Sequence, residues 1–384
     1  MKFKFINQLL FTRNSESDYQ KRKNLFSIEK CCAKIRLNYR RIGEMNMLSI
    51  AFIGYGNSVT NYHLPYLEKR ESINVKYIYR RAEDRIHEGI EHENWYPDIN
   101  FTSDLDEILN DKEIELIVVC THADSHAEYA RTALQNNKNV LVEKPFASTL
   151  DEAKEIFELA KSKGLIAMAN QNRRFDGDFL TLKKVLDSGV LGNIIEIQSH
   201  YDYFRPEKIQ KGFKTLHLLA VHTIDQIISL YGNPDRIYYD VRSIYCPGES
   251  DDFTDIDFYY GTQMKATVKC SNSVKIEHPK FTVHGDRGSF IKYSSGHQKK
   301  NPDGATKVSF IQEPENNWGK ISYFDENGKE VNKSIPSEIT DYAILYEKLF
   351  DSIRNGTEKP VKDDEVLTVM EILNNGIKEA SKNH

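Results

Sequence analysis

The sequence predicts an α/β protein: an N-terminal doubly wound parallel sheet, then an α+β domain with a large, mainly antiparallel open sheet. Three observations carry this expectation. Short apolar runs alternate with helix-compatible segments from Met47 to about residue 170, and the first run ends in Gly54-Tyr55-Gly56. Beyond Phe175 the pattern changes to closely spaced strand-like runs joined by turns. Strict alternation requires parallel strands joined by crossover helices, whereas short turns join antiparallel ones.

Each element follows in order. Leu48 to Ile53 reads as a buried strand, Thr60 to Arg70 as the helix behind it, and Ile73 to Tyr79 as a second strand. A short helix over Ser103 to Asn110 takes Thr102 or Ser103 as its N-cap. Ile114 to Cys120, rich in β-branched residues, is the clearest buried strand. A helix from about Ser125 to Asn136 leads to a strand at Asn139 to Glu143. Thr149-Leu150-Asp151-Glu152 is a capping box that opens a helix reaching about Lys163, and Leu165 to Ala169 closes the series.

In the second part a helix from Asp178 to Ser188 precedes five strand-like runs. They lie at Ile194 to Tyr201, Arg236 to Ser243, Thr254 to Tyr260, Met264 to Cys270 and Lys280 to His284. One helix, around Leu216 to Tyr231, interrupts them. Residues 294–335 read as polar and turn-rich, and helices near Glu338 to Asn355 and Asp363 to Ser381 finish the chain. The expected division is therefore 47–170 for the doubly wound sheet and 171–384 for the α+β part.

Residues 1–46 differ: they are rich in Lys and Arg, poor in acids, and without sustained period. No apolar core precedes a small-residue cleavage site, so a secretory signal is not expected. The simplest reading is a basic extension ahead of a translation start at Met45 or Met47, where the recognisable domain begins.

Composition narrows the function. A net charge of -5 gives no reason to expect nucleic acid or an anionic membrane as a partner. The five cysteines form no C-x-x-C pair, which fits a reducing cytoplasm.

Three motifs carry chemistry. Glycines at Gly54 and Gly56, followed by Asn57, let a strand turn sharply so that a diphosphate reaches the backbone at a helix N-terminus. The third fingerprint position is Val59 rather than Gly or Ala. At the end of the second strand, Asp or Glu would bond a ribose 2′-hydroxyl, whereas Arg accommodates a 2′-phosphate. Here the strand ends in Arg80-Arg81, so NADP(H) is favoured over NAD(H), with Arg80 the first candidate and Arg81 its helper. Glu143-Lys144-Pro145 ends a strand at the sheet edge where ligands gather, and its lysine suits a developing alkoxide.

Gly54-x-Gly56, Thr121-x-x-Asp124-x-His126, Glu143-Lys144-Pro145 and Val221-His222-Thr223-Ile224-Asp225 occur in the order seen in the Gfo/Idh/MocA family, which this chain resembles over about residues 48–380. The resemblance looks closest to a bacterial branch of oxidoreductases and includes Asn172-Arg173-Arg174-Phe175. It implies a Rossmann domain followed by a domain with a large open sheet, and a catalytic pair matching Lys144 and His222. It places Thr121 and His126 beside the nicotinamide and ribose, with Glu143 and Lys144 on the same cofactor edge. Asp225, Arg173 and Tyr201 are the candidates for contact with a sugar, inositol or related polyol.

Many members carry Asp four residues before the catalytic histidine, where this chain has Leu218; His217, its neighbour, would point elsewhere on an α-helix. No metal is expected, although His122 and His126 are spaced as zinc ligands on a helix can be. The resemblance also implies a homo-oligomer assembled through the second sheet. A dinucleotide-binding regulator of the same fold is the alternative function, and hydride exchange separates the two readings.

Overall fold

The computed structural model describes residues 47–382, except 88–89, 210–211, 213, 249, 295–297, 300–306 and 309. The basic extension 1–46 falls outside the described residues.

Six parallel strands form the first sheet: β1 (Leu48–Ile53), β2 (Ile73–Tyr79), β3 (Asn100–Thr102), β4 (Leu116–Val119), β5 (Asn139–Val142) and β6 (Ala167–Ala169). Their order, β3-β2-β1-β4-β5-β6, reverses direction between β1 and β4. Every residue of β4 is buried, as expected for a strand covered on both faces. Reversal of strand order opens a crevice beyond the C-terminal ends of β1 and β4, where doubly wound sheets bind their ligands.

Eight strands form the second sheet: β7 (Ile194–Asp202), β8 (Arg236–Arg242), β9 (Phe253–Tyr260), β10 (Met264–Ser271), β11 (Phe281–Gly285), β12 (Gly288–Lys292), β15 (Gly319–Phe324) and β16 (Glu330–Ile335). A separate pair, β13 (Gln298–Lys299) and β14 (Lys307–Val308), lies apart from it. Neighbours in the large sheet are antiparallel except β7 and β10, which run parallel. The helix Val221–Tyr231 packs on this sheet through Val221, Ile224, Ile227 and Ile228, all buried in the second core.

The structure corrects several sequence-level expectations. The stretch read as polar loop contains β13 to β16, whose few apolar residues gave no alternating signal; β15 and β16 are held by strand pairing. The N-cap of helix Leu105–Asn110 is Asp104, not Thr102 or Ser103, with its carboxylate accepting from the Asp106 amide at 3.0 Å. The short helices Ala82–His87 and Ile90–Glu93 were not expected. The boundary at residue 170 separates the two sheets but not the two cores: Ala343, Leu345, Tyr346 and Leu349 of the helix Ala343–Asn355 return to the first one. The capping box at Thr149 forms as expected, with both reciprocal bonds to Glu152.

Candidate active site

Behind β1 the chain turns at Gly54, whose φ is 101°. A Cβ there would stand 2.6 Å from the Cys120 carbonyl oxygen, so no larger residue fits. At Gly56 a Cβ would meet nothing within 4 Å, which leaves the loop open to a ligand approaching the backbone. Asn57 is exposed beside it, and Val59 is fully buried in the first core. The residues present therefore fit a dinucleotide diphosphate, with Gly54 and Gly56 supplying the turn and the approach.

The first helix opens with a π turn, Val59–His63, before its α-helical part Leu64–Leu67. The Leu64 amide donates to Val59 O, five residues back. His63 is thereby buried against Glu143, donating from Nε2 to Oε1 at 2.8 Å, while its Nδ1 lies 2.5 Å from the Tyr346 hydroxyl. The same Oε1 accepts from Ser58 Oγ at 2.6 Å and Asn170 Nδ2 at 2.8 Å, and Oε2 accepts from the Lys144 amide at 3.0 Å. Burial opposes ionisation of Glu143, but the bonds from His63, Ser58 and Asn170 prevail and hold its pKa at about 2. Glu143 thus ties β5 to the glycine loop and to the end of β6.

Lys144 follows through a cis bond to Pro145. Its Nζ donates to the Leu218 carbonyl oxygen at 3.1 Å, and burial lowers its pKa from the ordinary lysine value. His222, on the second-domain helix Val221–Tyr231, is buried. Burial first, then the charges of Lys144, Arg173 and Lys280, push its pKa well below the ordinary imidazole range. Its Nδ1 has no hydrogen-bond partner among the described residues. A neutral imidazole with an unmet nitrogen beside a lysine is equipped to exchange a proton with a hydroxyl.

The approach to His222 is not the α-helix expected from sequence. Leu216–Ala220 is a π turn, and the Val221 amide donates to Leu216 O, five residues back. A π turn inserts one residue into the helical register, so the residue five before His222 takes the place that the fourth would have on an α-helix. That residue is His217, while the Leu218 side chain is 47% exposed. Burial, then Lys214 and Lys144, lower the His217 pKa to about 4, and its buried Nδ1 also has no partner among the described residues. The expectation that His217 points elsewhere assumed a regular α-helix.

The remaining candidates divide. Arg80 is only 7% exposed, with Nη1 on Glu93 at 2.7 Å and Nη2 on Asp84 O at 3.0 Å. Arg81 is the exposed member at 55%, bonded to Asp84 at 2.8 and 2.9 Å. Thr121 Oγ1 accepts from Ser125 Oγ at 2.7 Å. His126, expected at the cofactor, is buried with one ring nitrogen 2.8 Å from Pro145 O and the other 3.1 Å from Thr121 O. It braces two loops of the crevice.

Asp225, expected at the substrate, has both carboxylate oxygens engaged by Arg174, at 2.7 and 2.8 Å; Arg174 also bonds Glu365 at 2.7 Å. The pair ties the helix that carries His222 to Arg174. Arg173 and Tyr201 do line a cavity of about 330 Å³, together with Asp176, Asp178, His200 and Lys280. The Tyr201 ring, which lines this cavity, meets the His222 imidazole at a 6.4 Å centroid separation and 66°. His200 and His278 each place Nδ1 3.0 Å from the same oxygen of Asp202.

Two residues carry no functional signal in the sequence: His63, and Lys280, which reads only as the start of a strand. His63 lay within reach of the Gly54 loop in the sequence, but nothing in the hydropathy marked it.

Residues 48–171 match the model described as an oxidoreductase family with an NAD-binding Rossmann fold, and residues 179–291 match the GFO/IDH/MocA C-terminal domain. The chain is 46% identical over 345 residues to the uncharacterized oxidoreductase YhhX of Escherichia coli K12, covering 87% of this chain and 97% of that protein. It is 29% identical to the scyllo-inositol 2-dehydrogenase (NADP(+)) IolW of Bacillus subtilis, covering 86% and 93%. Among solved structures, an oxidoreductase from Bacillus cereus superposes with a TM-score of 0.80 at 41% identity, covering 86% of this chain and 96% of that one. With both domains matched and the glycine loop, Lys144 and His222 gathered at one crevice, the chain belongs to the GFO/IDH/MocA family of oxidoreductases.

Proposed function

We propose that the protein transfers a hydride between NADP(H) and a secondary alcohol, or the matching carbonyl, of a sugar, inositol or related polyol. The observation that carries this reading is Lys144 beside a buried His222 held neutral, next to a polar cavity at the ligand edge of the parallel sheet. When bound, the nicotinamide supplies or accepts the hydride. His222 exchanges the hydroxyl proton through its ring nitrogen. The cationic groups of Lys144 and Arg173 favour the alkoxide that develops on the substrate oxygen.

Acidic and basic side chains share the cavity wall, which suits a neutral ligand whose hydroxyls both donate and accept. The relative named for scyllo-inositol supports the same class. NADP(H) is favoured because Arg80-Arg81, with no acidic residue, follows β2. The exposed guanidinium of Arg81 is the group we place at the 2′-phosphate, with Arg80 behind it in its pair with Glu93. We also infer a cytoplasmic homo-oligomer without nucleic-acid or membrane partners. Among the described residues no helix is long and apolar enough to cross a membrane.

The test is NADP⁺ reduction with a panel of inositols, sugars and sugar derivatives, with NAD⁺ alongside and light scattering to give the assembly size. Turnover of at least one polyol, faster with NADP⁺, is the expected result. Tight NADPH binding with no hydride exchange on any of them would overturn it in favour of a dinucleotide-binding regulator.

A further inference from the structure

Three lysines among the described residues are no more than 9% exposed: Lys138, Lys280 and Lys292. Two of them show how this fold accommodates a buried ammonium. Lys138 donates to Asp111 O at 2.6 Å and Ile114 O at 3.0 Å. Lys292 donates to Glu313 Oε2 at 2.6 Å, to Asn317 O at 2.8 Å and to Tyr293 O at 2.5 Å. Lys280 differs: among the described residues its Nζ has neither a hydrogen-bond acceptor nor an ion pair. It lies 4.7 Å from the Tyr201 ring centroid and 5.2 Å from that of Phe281. Aromatic faces compensate a cation only in part, and the charges of Asp178 and Asp176 favour the ammonium without bonding it, so its donors stay available to a group that enters the cavity.

Lys280 lines the same 330 Å³ cavity as Arg173 and Tyr201. Arg173 shares the Tyr201 ring with it, at 5.0 Å, and Tyr201 meets His222 edge-on. The unmet donor therefore sits one ring away from the reacting imidazole. Its acceptor can be chosen by chemistry. Asp176, Asp178, Asp202 and Glu277 line the cavity too, so an anionic ligand would face four carboxylates, whereas a hydroxyl accepts from lysine and donates to a carboxylate. Asp178 is buried with Oδ1 unbonded among the described residues, which leaves an acceptor of that kind on the same wall.

We propose that Lys280 is a specificity-determining residue that donates to a hydroxyl oxygen of the polyol, on a carbon other than the one that reacts. This rests on the polyol reading above and deepens it: the substrate must carry a second hydroxyl that reaches past Tyr201.

The test pairs a change in the protein with a change in the substrate. Wild type and Lys280→Met are assayed with NADP⁺ on an inositol that the enzyme oxidises and on its monodeoxy analogues. In wild type, removing one particular hydroxyl lowers kcat/KM about tenfold or more, the range of a lost hydrogen bond to a charged group. In Lys280→Met that discrimination falls below about twofold. Discrimination retained at the wild-type level in Lys280→Met overturns the assignment while leaving the polyol reading intact. A wild type that oxidises no polyol overturns both. Unchanged NADPH affinity and thermal midpoint establish that the variant is folded, and Lys280→Gln replaces it if they change.

Discussion

Glu143 and Lys144 are neighbours in the chain, yet their surroundings differ in kind. Glu143 receives four hydrogen bonds, from Ser58, His63, Asn170 and the Lys144 amide. Lys144 has one carbonyl oxygen, and the groups around it on the second-domain side, His222 and His217, each carry an unbonded buried nitrogen. Buried polar groups in folded proteins are nearly always satisfied, so a local run of exceptions needs a cause. The contrast identifies one half of the crevice as framework and the other as the part completed by a ligand. Substitutions should therefore divide: those on the framework side cost stability, and those on the unsatisfied side cost activity.

The largest effect is expected on the unsatisfied side. His222→Asn should lower kcat/KM by about 10²–10⁴-fold while leaving the thermal midpoint and NADPH affinity near wild type. Because burial and nearby cations keep His222 neutral, wild-type kcat/KM for alcohol oxidation should show no acid limb from it at the ordinary imidazole value of about 6.5. A limb at that pH which disappears in His222→Asn would show that the imidazole is not held neutral as described.

Glu143→Ala tests the framework side. It leaves three side-chain donors and one amide unpaired in a buried site, and should cost about 3–5 kcal/mol in urea unfolding at neutral pH. The pH dependence has a definite sign. The folded pKa of about 2 lies below the unfolded value of about 4.3, so the carboxylate's contribution is complete above the unfolded value. It is then lost as pH falls through the interval towards 2. The gap between wild type and Glu143→Gln should narrow across that window; a gap that stays constant would place the stabilisation elsewhere.

A smaller effect is expected at His217, and it sharpens the comparison because the same residue could belong to either half. His217→Leu should lower kcat by about tenfold, with stability unchanged or slightly raised, since a buried nitrogen without a partner is removed. Loss of stability at full activity would reassign His217 to the framework.

These predictions draw on features that the sequence shows unevenly. The crevice was legible because Gly54, Arg80, Thr121 and Glu143 follow strands β1, β2, β4 and β5, whose apolar runs stand out. The π turns were not, because hydropathy reports which face is buried and not whether an amide reaches back four residues or five. That one-residue difference is what moves His217. The Asp225 pair was not legible for another reason: its partner, Arg174, is 51 residues away, and a long-range ion pair leaves no local pattern. Lys280 reads only as the first residue of a strand-like run, and nothing local marks it as lining the same cavity as Tyr201.

The smallest expected effect separates Arg80 from Arg81, which sequence alone ranks by their order after the strand. Arg80 is buried in its pair with Glu93, whereas Arg81 is exposed and bonded only within its own turn, to Asp84 and Glu83. If Arg81 meets the 2′-phosphate, Arg81→Ala should weaken NADPH binding by about tenfold and leave NADH binding unchanged, because the phosphate is the one group that distinguishes them. Arg80→Ala should weaken both cofactors together and lower the thermal midpoint, since it leaves Glu93 without its closest cation. The comparison requires only titration of NADPH and NADH against each variant. Should Arg80→Ala remove the preference selectively while Arg81→Ala does not, Arg80 leaves Glu93 when the cofactor binds, and the residue that looks like framework belongs to the ligand side.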